Sequence, residues 1–313
     1  MQYARSLSRD TFRLKAALLT LAWLASPGLH AQDTATASST LERIQSSGKL
    51  TMGYYSDAAP MSYQEGGKAQ GYVVALCDEV AADLKASLKL PSLATEAVLV
   101  GATERFSALR EGRIDLLCGP SVPTLSREKE VSFSIPILIS GTAVLVRTDA
   151  PADFRDTLEG RPVTSNPLWR GSPGLAALEQ KRFVVVGGTT SETIAKARRA
   201  QLKVNAAITP VSDNIAGALE VREGRADALL GERYILLNLA KQNRDKLVVL
   251  DNLVDVQPLA LALAHGDDDF RLEVDRTLSR LYRSGQILPI YEKYFGKASE
   301  NTKQMFRILA VPE

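Results

Sequence analysis

The chain has 313 residues, of which 38 are Lys or Arg and 36 are Asp or Glu, so its formal net charge is +2. A near-neutral chain without a basic block lacks the phosphate-neutralising surface that nucleic-acid binding requires, so no nucleic-acid partner is expected. His265 is the only histidine beyond residue 31, which argues against a metal site. On length alone, two domains are expected.

Residues 1–31 have the pattern of a secretory signal peptide. A basic stretch precedes ten apolar residues, AALLTLAWLA, and Ser26-Pro27-Gly28 then leads to a small-residue cleavage site at Ala31. Ten apolar residues are too few to span a bilayer, which takes about 20. Removing this segment removes four basic residues and one acidic residue, which leaves a net charge of −1. We therefore expect a soluble protein exported to the periplasm; a buried amphipathic helix is the alternative.

The first part of the mature chain alternates strand and helix patterns. Leu76, Val80 and Leu84, for example, recur at the spacing of one helix face. The alternation predicts an α/β fold with a mostly parallel sheet and right-handed crossovers. The predicted elements are a helix over 41–48, a strand over 49–55, a hairpin over 61–72 that turns at 65–67, a helix over 73–88, a strand over 97–100 and a helix over 104–110.

A phrase of eleven residues occurs twice, as LREGRIDLLCG from Leu109 and as VREGRADALLG from Val221. In each copy, a glycine after charged residues ends a helix, and a short apolar run follows as a buried strand. The first strand, over 114–118, is expected to end where the backbone turns away at Gly119-Pro120. Ligands bind beyond the carboxyl ends of such strands, and Arg127 lies in that region. The repeat predicts two similar lobes that face a shared ligand.

The second part of the chain continues the pattern and then returns to the first lobe. Its apolar stretch over 136–146 contains Ser140-Gly141-Thr142, which predicts a bend or a crossover between lobes. Neither a Ser-His-Asp set nor a glycine-rich nucleotide loop nor a metal motif occurs, so we expect no cofactor. The remaining predicted elements are a long loop over 156–173, a strand over 183–186 and a helix to Leu202, a helix over 232–242, a strand over 247–250, a returning crossover over 254–263, helices over 270–284 and 287–295, and a tail packed on the first lobe.

The chain has two cysteines, Cys77 and Cys118. An exported protein can oxidise them, so we expect a disulfide between them. Two buried free thiols are the alternative.

Six phrases in order resemble the periplasmic solute-binding proteins of ABC importers for polar amino acids. They are ERIQSSGKLTMGY, APMSY with its following GY, LREGRIDLLCG, LSREKEVSFS, GGTTSE and SGQILPIYEKYFGK. The paired cysteines and SREKEVSFS are similar to the glutamate/aspartate-binding branch. The resemblance implies a two-lobe periplasmic-binding-protein-like fold of type II, with two mostly parallel sheets joined by two crossover strands. The implied boundaries are 1–31 for the signal peptide, 41–138 and 255–300 for the first lobe, 139–254 for the second lobe and 301–313 for the tail.

The resemblance also implies the ligand-binding residues. Arg127 matches the arginine that grips the ligand α-carboxylate, and its planar donor fork suits that role. Thr189 and Thr190 match threonines at a helix start, Glu232 matches an aspartate that pairs with the α-ammonium group, and Thr142 matches a polar contact. Each assignment has an alternative. Arg127 could be a surface charge, and Thr189 with Glu192 could form only a helix cap. Glu232 could be exposed to solvent, and Thr142 could be a bend residue.

Several positions depart from the glutamate/aspartate branch. Tyr55 replaces an arginine that would hold a side-chain carboxylate, and Asn214 replaces a histidine. Pro120 and Val122 stand where that branch has hydroxyl residues, and Ser121 or Thr124 is the alternative source of a hydroxyl group. The loop over 160–182, with Trp169 and Arg170, resembles an insertion. Neutral or aromatic ligands are therefore expected to bind more tightly than glutamate or aspartate.

These observations predict a monomeric, non-enzymatic binding protein. It would capture a small carboxylated, amino-acid-like ligand and deliver it to an inner-membrane ABC permease. One alternative is a periplasmic lyase of the cyclohexadienyl dehydratase type, in which a buried Glu232 would act as general acid. The other is a sensor or accessory module that binds a partner protein.

Overall fold

The computed structural model describes residues 39–160 and 173–312. The helices are α1 Thr40–Ser47, α2 Tyr72–Ser87, α3 Arg105–Arg110, α4 Ala152–Leu158, α5 Pro173–Ala176, α6 Thr190–Leu202, α7 Asn214–Arg222, α8 Arg233–Gln242, α9 Asp268–Ser284, α10 Ile287–Phe295 and α11 Glu300–Leu309. The strands are β1 Lys49–Tyr54, β2 Asp57–Ala58, β3 Ser62–Glu65, β4 Lys68–Gln70, β5 Ala94–Leu99, β6 Leu116–Ser121, β7 Val131–Phe133, β8 Leu138–Arg147, β9 Arg182–Val186, β10 Ala207–Val211, β11 Ala228–Glu232, β12 Leu247–Val249 and β13 Asp255–Ala264.

Hydrogen bonding joins ten strands in the order β10-β9-β11-β8-β13-β6-β1-β5, with β12 beside β8 and β7 beside β13. The first lobe contains the parallel strands β5, β1 and β6, and the second contains β10, β9 and β11. The strands β8 and β13 pair antiparallel over 138–142 and 255–259. We call this pair the crossover strands. Because β8 and β13 pair with each other, the two expected sheets are joined into one continuous sheet.

The two copies of the repeated phrase form the same structure, as predicted. In each lobe a helix ends at a glycine with positive φ, +67° at Gly112 and +71° at Gly224, a conformation that glycine adopts without a steric penalty. The following strands, β6 and β11, occupy the interior of the sheet.

The predicted end of β6 is wrong. The strand begins at Leu116 and continues through Pro120 to Ser121, where Ser121 pairs with Ala260 of β13. Proline lacks the N–H that a regular ladder uses, but the β6–β13 register is irregular between Ala260 and Ala262. Such irregularities accommodate proline within a sheet.

The core of the first lobe lies where α2 and α9 cover the sheet. The predicted apolar face of α2 is buried, with Leu76 and Val80 at 0% exposure. The tail packs on this lobe as expected, because Phe306 of α11 lies against Tyr282 and Tyr291. A second cluster, around Val185 and Phe154, forms part of the core of the second lobe.

Cys77 of α2 and Cys118 of β6 form the predicted disulfide, with their Cα atoms 6.1 Å apart. Both residues are buried, so the bond ties a covering helix to a central strand of the first lobe.

Two predictions lie outside the described residues. They are the signal peptide over 1–31 and the central part of the inserted loop with Trp169 and Arg170. Within residues 39–160 and 173–312, no helix has the length and apolar character needed to cross a membrane.

Candidate functional site

A cavity of about 400 Å³ lies between the two lobes. Its walls come from loops that follow the carboxyl ends of parallel strands in both lobes, the position at which open α/β sheets bind ligands. First-lobe residues lining it are 55–58, 99–102, Glu104, Arg105, Pro120, Val122 and Arg127. Second-lobe residues lining it are Val186, 189–191, 212–214, 230–232 and Ile235, and Leu259 of β13 completes the wall.

The structure brings six of the eight predicted ligand residues to this cavity. They are Arg127, Thr189, Thr190, Glu232, Tyr55 and Asn214. Their contact with a ligand stays a prediction. They come from separate parts of the chain, and together they place several polar groups around the same cavity.

Thr142 and Ser121 are not among the lining residues, contrary to expectation. Both are 2% exposed. The Thr142 hydroxyl hydrogen-bonds the hydroxyl of Ser191 at 3.2 Å, so Thr142 lies behind a lining residue. Ser121 is the last residue of the unexpected extension of β6, and its side chain is buried there. Its Oγ has no hydrogen-bond partner among the described residues. Pro120 and Val122 reach the wall, so this edge of the cavity is apolar.

Arg127 begins a 3-10 helix, Arg127–Lys129, and its guanidinium points inward rather than to the surface. Its Nη1 donates to the carbonyl of Val122 at 2.8 Å, and its Nη2 donates to the carbonyl of Gly188 in the second lobe at 3.2 Å. The guanidinium carbon lies 5.2 Å from the ring centroid of Phe106. Burial and the neighbouring charge of Arg105 lower the pKa of Arg127 to about 10, so the group is still charged at neutral pH.

Arg105, the first residue of α3, places a second guanidinium beside Arg127. It is 4% exposed, and its Nη2 donates to the same Gly188 carbonyl at 3.0 Å. Its guanidinium carbon lies 4.5 Å from the Phe106 centroid. Its Nε has no acceptor within the described residues. Neither Arg105 nor Arg127 forms an ion pair with a carboxylate in residues 39–160 and 173–312.

The second-lobe wall begins at the N-terminus of α6. Thr189 is the N-cap, and its Oγ1 accepts a hydrogen bond from the N–H of Glu192 at 3.4 Å. The Glu192 carboxylate reaches one residue further than a standard capping box and accepts from the N–H of Gly188 at 2.8 Å. The Thr190 hydroxyl donates to Oε1 of Gln257 at 3.1 Å. The capping chemistry therefore orients the loop whose Gly188 carbonyl contacts both arginines.

Glu232 lies on the wall as the N-cap of α8, half-buried rather than solvent-exposed. Its Oε2 accepts from the N–H of Ile235 at 3.0 Å, and its Oε1 accepts from the hydroxyl of Ser140. Burial raises the pKa of Glu232, and these hydrogen bonds oppose that rise only in part. The site therefore holds a carboxyl group whose negative charge a bound cation would stabilise.

Tyr55 and Asn214, where the resemblance implies an arginine and a histidine, both line the cavity. The Tyr55 ring lies against the backbone of β6, where a Cβ on Gly119 would be 2.5 Å from Cε2 of the ring. Asn214 donates its backbone N–H and its side-chain amide to Oδ2 of Asp57 in the first lobe, both at 2.7 Å. Contacts at Gly188 and at Asn214 thus join the lobes.

The comparisons with known proteins agree with this geometry. A family model described as "Bacterial extracellular solute-binding proteins, family 3" matches residues 50–297. The chain belongs to this family. Within the part of this solute-binding protein that the structure describes, no group of three or more His, Cys, Asp or Glu side chains could hold a metal ion.

Relatives of this solute-binding protein bind amino acids. The L-glutamate/L-aspartate-binding protein of Pseudomonas aeruginosa is 29% identical over 260 residues, which cover 82% of this chain and 80% of that protein. The glutamate/aspartate import solute-binding protein of Escherichia coli is 26% identical, with 90% of this chain and 88% of that protein covered. Among solved structures, an ancestral amino acid-binding protein described as a precursor of cyclohexadienyl dehydratase has a TM-score of 0.67 and 26% identity, with 82% of this chain and 100% of that chain covered.

Arg105 and Asp57 are among the polar residues lining the cavity that the sequence analysis missed. Arg105 follows the end of β5 by six residues, so the strand-end rule that singled out Arg127 applies to it equally. Asp57 had no comparable signal, because its partner Asn214 lies 157 residues away and in the other lobe.

Proposed function

We propose that this chain is an exported solute-binding protein that captures a small carboxylated amino acid in the interlobe cavity and delivers it to an inner-membrane ABC permease. The observation that carries the proposal is the pair Arg105 and Arg127, two half-buried or buried guanidinium groups without a carboxylate partner in the described residues. They face a cavity that also presents the Glu232 carboxyl group.

A ligand carboxylate would relieve the unfavourable electrostatics of the arginine pair. Both guanidiniums lie on the Phe106 ring, and the charge of Arg105 contributes to the lowered pKa of Arg127. The carbonyl of Gly188 supplies only a partial negative charge to the two groups. A carboxylate supplies a full charge and accepts the planar donor fork of an arginine in a bidentate manner.

The Glu232 carboxyl group favours a ligand that also carries an ammonium group. Its pKa is raised mainly by burial, and the hydrogen bonds that it accepts oppose this rise only in part, so its charged form is incompletely compensated by the protein. An ammonium group within hydrogen-bonding distance would favour that charged form. Arginines and a carboxyl group around one cavity therefore suit a zwitterion, which is the ionic form of a free amino acid.

Tyr55 and Arg105 favour different classes of ligand side chain. The expected preference for neutral or aromatic ligands depends on Tyr55 replacing an arginine, and it stays a prediction. Arg105 weighs against it, because a second guanidinium in the same cavity can pair with a side-chain carboxylate. The names of the Pseudomonas aeruginosa and Escherichia coli relatives support including glutamate and aspartate among the candidates.

A thermal-shift screen tests the proposed function. The panel contains L-glutamate, L-aspartate, L-glutamine, L-cystine, L-arginine, aromatic amino acids and simple carboxylates without an ammonium group. A ligand at a hundredfold its Kd adds about 2.7 kcal/mol to the unfolding free energy, so a true ligand shifts Tm by several degrees. At least one amino acid should do so. A natively folded protein whose Tm no panel member changes would contradict the proposal.

A lyase of the cyclohexadienyl dehydratase type is the second candidate function. The raised pKa of Glu232 favours it, as does the likeness to the described precursor of such an enzyme. Against it, both Glu232 oxygens already accept hydrogen bonds from the protein, so the carboxyl is held as a helix cap. Incubation with cyclohexadienyl acids, followed by ultraviolet detection of aromatic product, decides between the two functions.

The proposal includes the domain boundaries expected from the sequence. We place the lobes at 41–138 with 255–300 and at 139–254, with a tail over 301–313 and an export signal over 1–31. The crossover pairing of β8 and β13 supports two connections between the lobes near residues 138 and 255. We also propose that the protein acts as a monomer until it docks on its permease.

A further inference from the structure

Ser140 and Gln257 form a polar pair at the centre of the crossover strands. They are directly opposite each other in the antiparallel register of β8 and β13. Ser140 is 6% exposed. Because side chains alternate along a strand, Ile139 and Val256 lie on the opposite face, where they are 38% and 60% exposed. The polar pair therefore faces the cavity side, and the apolar side chains of Ile139 and Val256 face outward.

Each member of the polar pair bonds to a second-lobe residue that lines the cavity. The Ser140 hydroxyl donates to Oε1 of Glu232, and Oε1 of Gln257 accepts from the Thr190 hydroxyl at 3.1 Å. The crossover strands therefore contact two predicted ligand residues directly.

The Ser140 contact restricts how the Glu232 carboxylate can orient. One oxygen accepts from the first turn of α8 and the other accepts from β8, so rotation of the carboxylate would break one contact or both. A carboxylate has about four acceptor positions. The hydroxyl of Ser140 and the backbone N–H groups of Tyr234 and Ile235 occupy three of them, so one remains available to a ligand. The Ser140 hydrogen bond also favours the charged form of Glu232, and so does the adjacent charge of Arg233.

We propose that Ser140 is a positioning residue of the ligand site, whose hydroxyl holds the Glu232 carboxylate in the orientation that accepts a hydrogen bond from a ligand ammonium group. This inference rests on the proposed function, since it requires an amino acid in the cavity. Ser140 itself does not touch the ligand; it acts through Glu232.

The test measures Kd by calorimetry at neutral pH with four probes: L-glutamate, L-glutamine, L-arginine and L-cystine. For the probe that binds wild type most tightly, Ser140→Ala should raise Kd about tenfold or more, because a hydrogen bond to a charged group is lost. Ser140→Thr keeps the hydroxyl and should stay within about threefold of wild type. Val256→Ala, on the outward face of the same strand pair, is the matched control and should change Kd by less than about twofold.

A double-mutant cycle with Glu232→Gln separates positioning from a general structural effect. If Ser140 acts through the carboxylate, Ser140→Ala in the Glu232→Gln background should raise Kd by less than about twofold. An equal loss in both backgrounds would overturn the inference. If Glu232→Gln leaves no measurable binding, the affinity of Ser140→Thr decides whether the inference holds. A Ser140→Thr protein of wild-type stability that binds as weakly as Ser140→Ala would overturn the inference.

The controls distinguish this inference from the proposed function. If Ser140→Ala binds like wild type while Arg127→Ala does not, only the role of Ser140 is wrong. If the folded wild-type protein binds none of the four probes, the proposed function fails for them, and the inference falls with it. Unfolding curves for every variant show whether a loss of binding reflects a loss of folding.

Discussion

Asp57 in the first lobe accepts two hydrogen bonds from Asn214 in the second lobe, one from the backbone N–H and one from the side-chain amide, each 2.7 Å long. Asn214 is the first residue of α7, so the negative charge of Asp57 lies at the positive end of a helix dipole. Because the two residues belong to different lobes, separating the lobes breaks the contact. The pair therefore favours the closed arrangement of the cavity.

Removing the Asp57 carboxylate should weaken amino-acid binding by about tenfold, because hydrogen bonds to a charged group contribute about 1.5–3 kcal/mol. The ligand-free Asp57→Ala protein should also have a larger radius of gyration in solution scattering, since more of the population is open. Asp245→Ala removes an exposed carboxylate in the second lobe and serves as the control. Unchanged affinity and unchanged dimensions would show that the contact does not influence closure.

Loss of the Arg127 guanidinium should raise Kd by about 30-fold or more, since truncating a buried, charge-assisted partner costs about 2–5 kcal/mol. Arg127→Lys keeps the charge but not the planar fork, so it should recover only part of the loss. Folding should be little changed, because Arg127 lies in a 3-10 helix beyond the end of β6. Titration of both variants and denaturant unfolding check this. Near-wild-type affinity in folded Arg127→Ala would remove Arg127 from the site.

Arg105 should control selectivity for side-chain charge. Arg105→Gln removes a cation from the cavity, so it should weaken L-glutamate more than L-glutamine, two ligands of almost equal size. We expect the ratio of the two Kd values to shift by about tenfold, equivalent to about 1.4 kcal/mol. Competition calorimetry on both proteins measures the ratio. A ratio equal to that of wild type would mean that Arg105 does not contact the side chain.

The raised pKa of Glu232 should appear in the pH dependence of stability. A carboxyl whose pKa is higher in the folded chain stabilises the fold while it is protonated. Its contribution is complete below the unfolded pKa of about 4.3 and is lost as the pH rises through the folded value. Glu232→Gln cannot titrate. The unfolding free energy of Glu232→Gln minus that of wild type should therefore increase with pH across this window and then level off. A difference in stability between the two proteins that does not depend on pH leaves this trend unchanged.

Denaturant unfolding of ligand-free protein at a series of pH values measures that difference. Other groups whose pKa is raised by burial, such as Asp115 and Asp275, remain in both proteins and cancel. A difference that stays constant from acid to neutral pH would mean that folding does not perturb Glu232.

The Cys77–Cys118 disulfide should survive purification under non-reducing conditions and stabilise the first lobe. Intact mass after alkylation without reductant should show no modified cysteine. Replacing both cysteines by Ala should lower the unfolding free energy by about 4 kcal/mol, the chain-entropy value for a loop of this length. Two alkylated cysteines in native material would contradict the pairing.

Local chemistry explains what could be predicted from the sequence. The helices α2 and α9, the turn at Gly66-Gly67 and the N-cap at Thr189 depend on residues a few positions apart. The repeated phrase specified a similar strand end in each lobe, and those ends placed Arg127 and Glu232 at one cavity. The end of β6 was misjudged because its pairing partner, β13, lies far along the chain.

Only the tertiary structure decided which polar groups meet. Arg105 and Gly188 are 83 residues apart, Ser140 and Glu232 are 92 apart, and Asp57 and Asn214 are 157 apart. No periodicity or capping rule reaches over such separations, because these contacts depend on how two lobes are placed by the crossover strands. The sequence by itself determined most of the helices and strands, the repeat and the one pair of cysteines that could form a disulfide. The docking of the lobes determined the partners of Arg105 and Glu232, and thereby the chemistry that the cavity offers to a ligand.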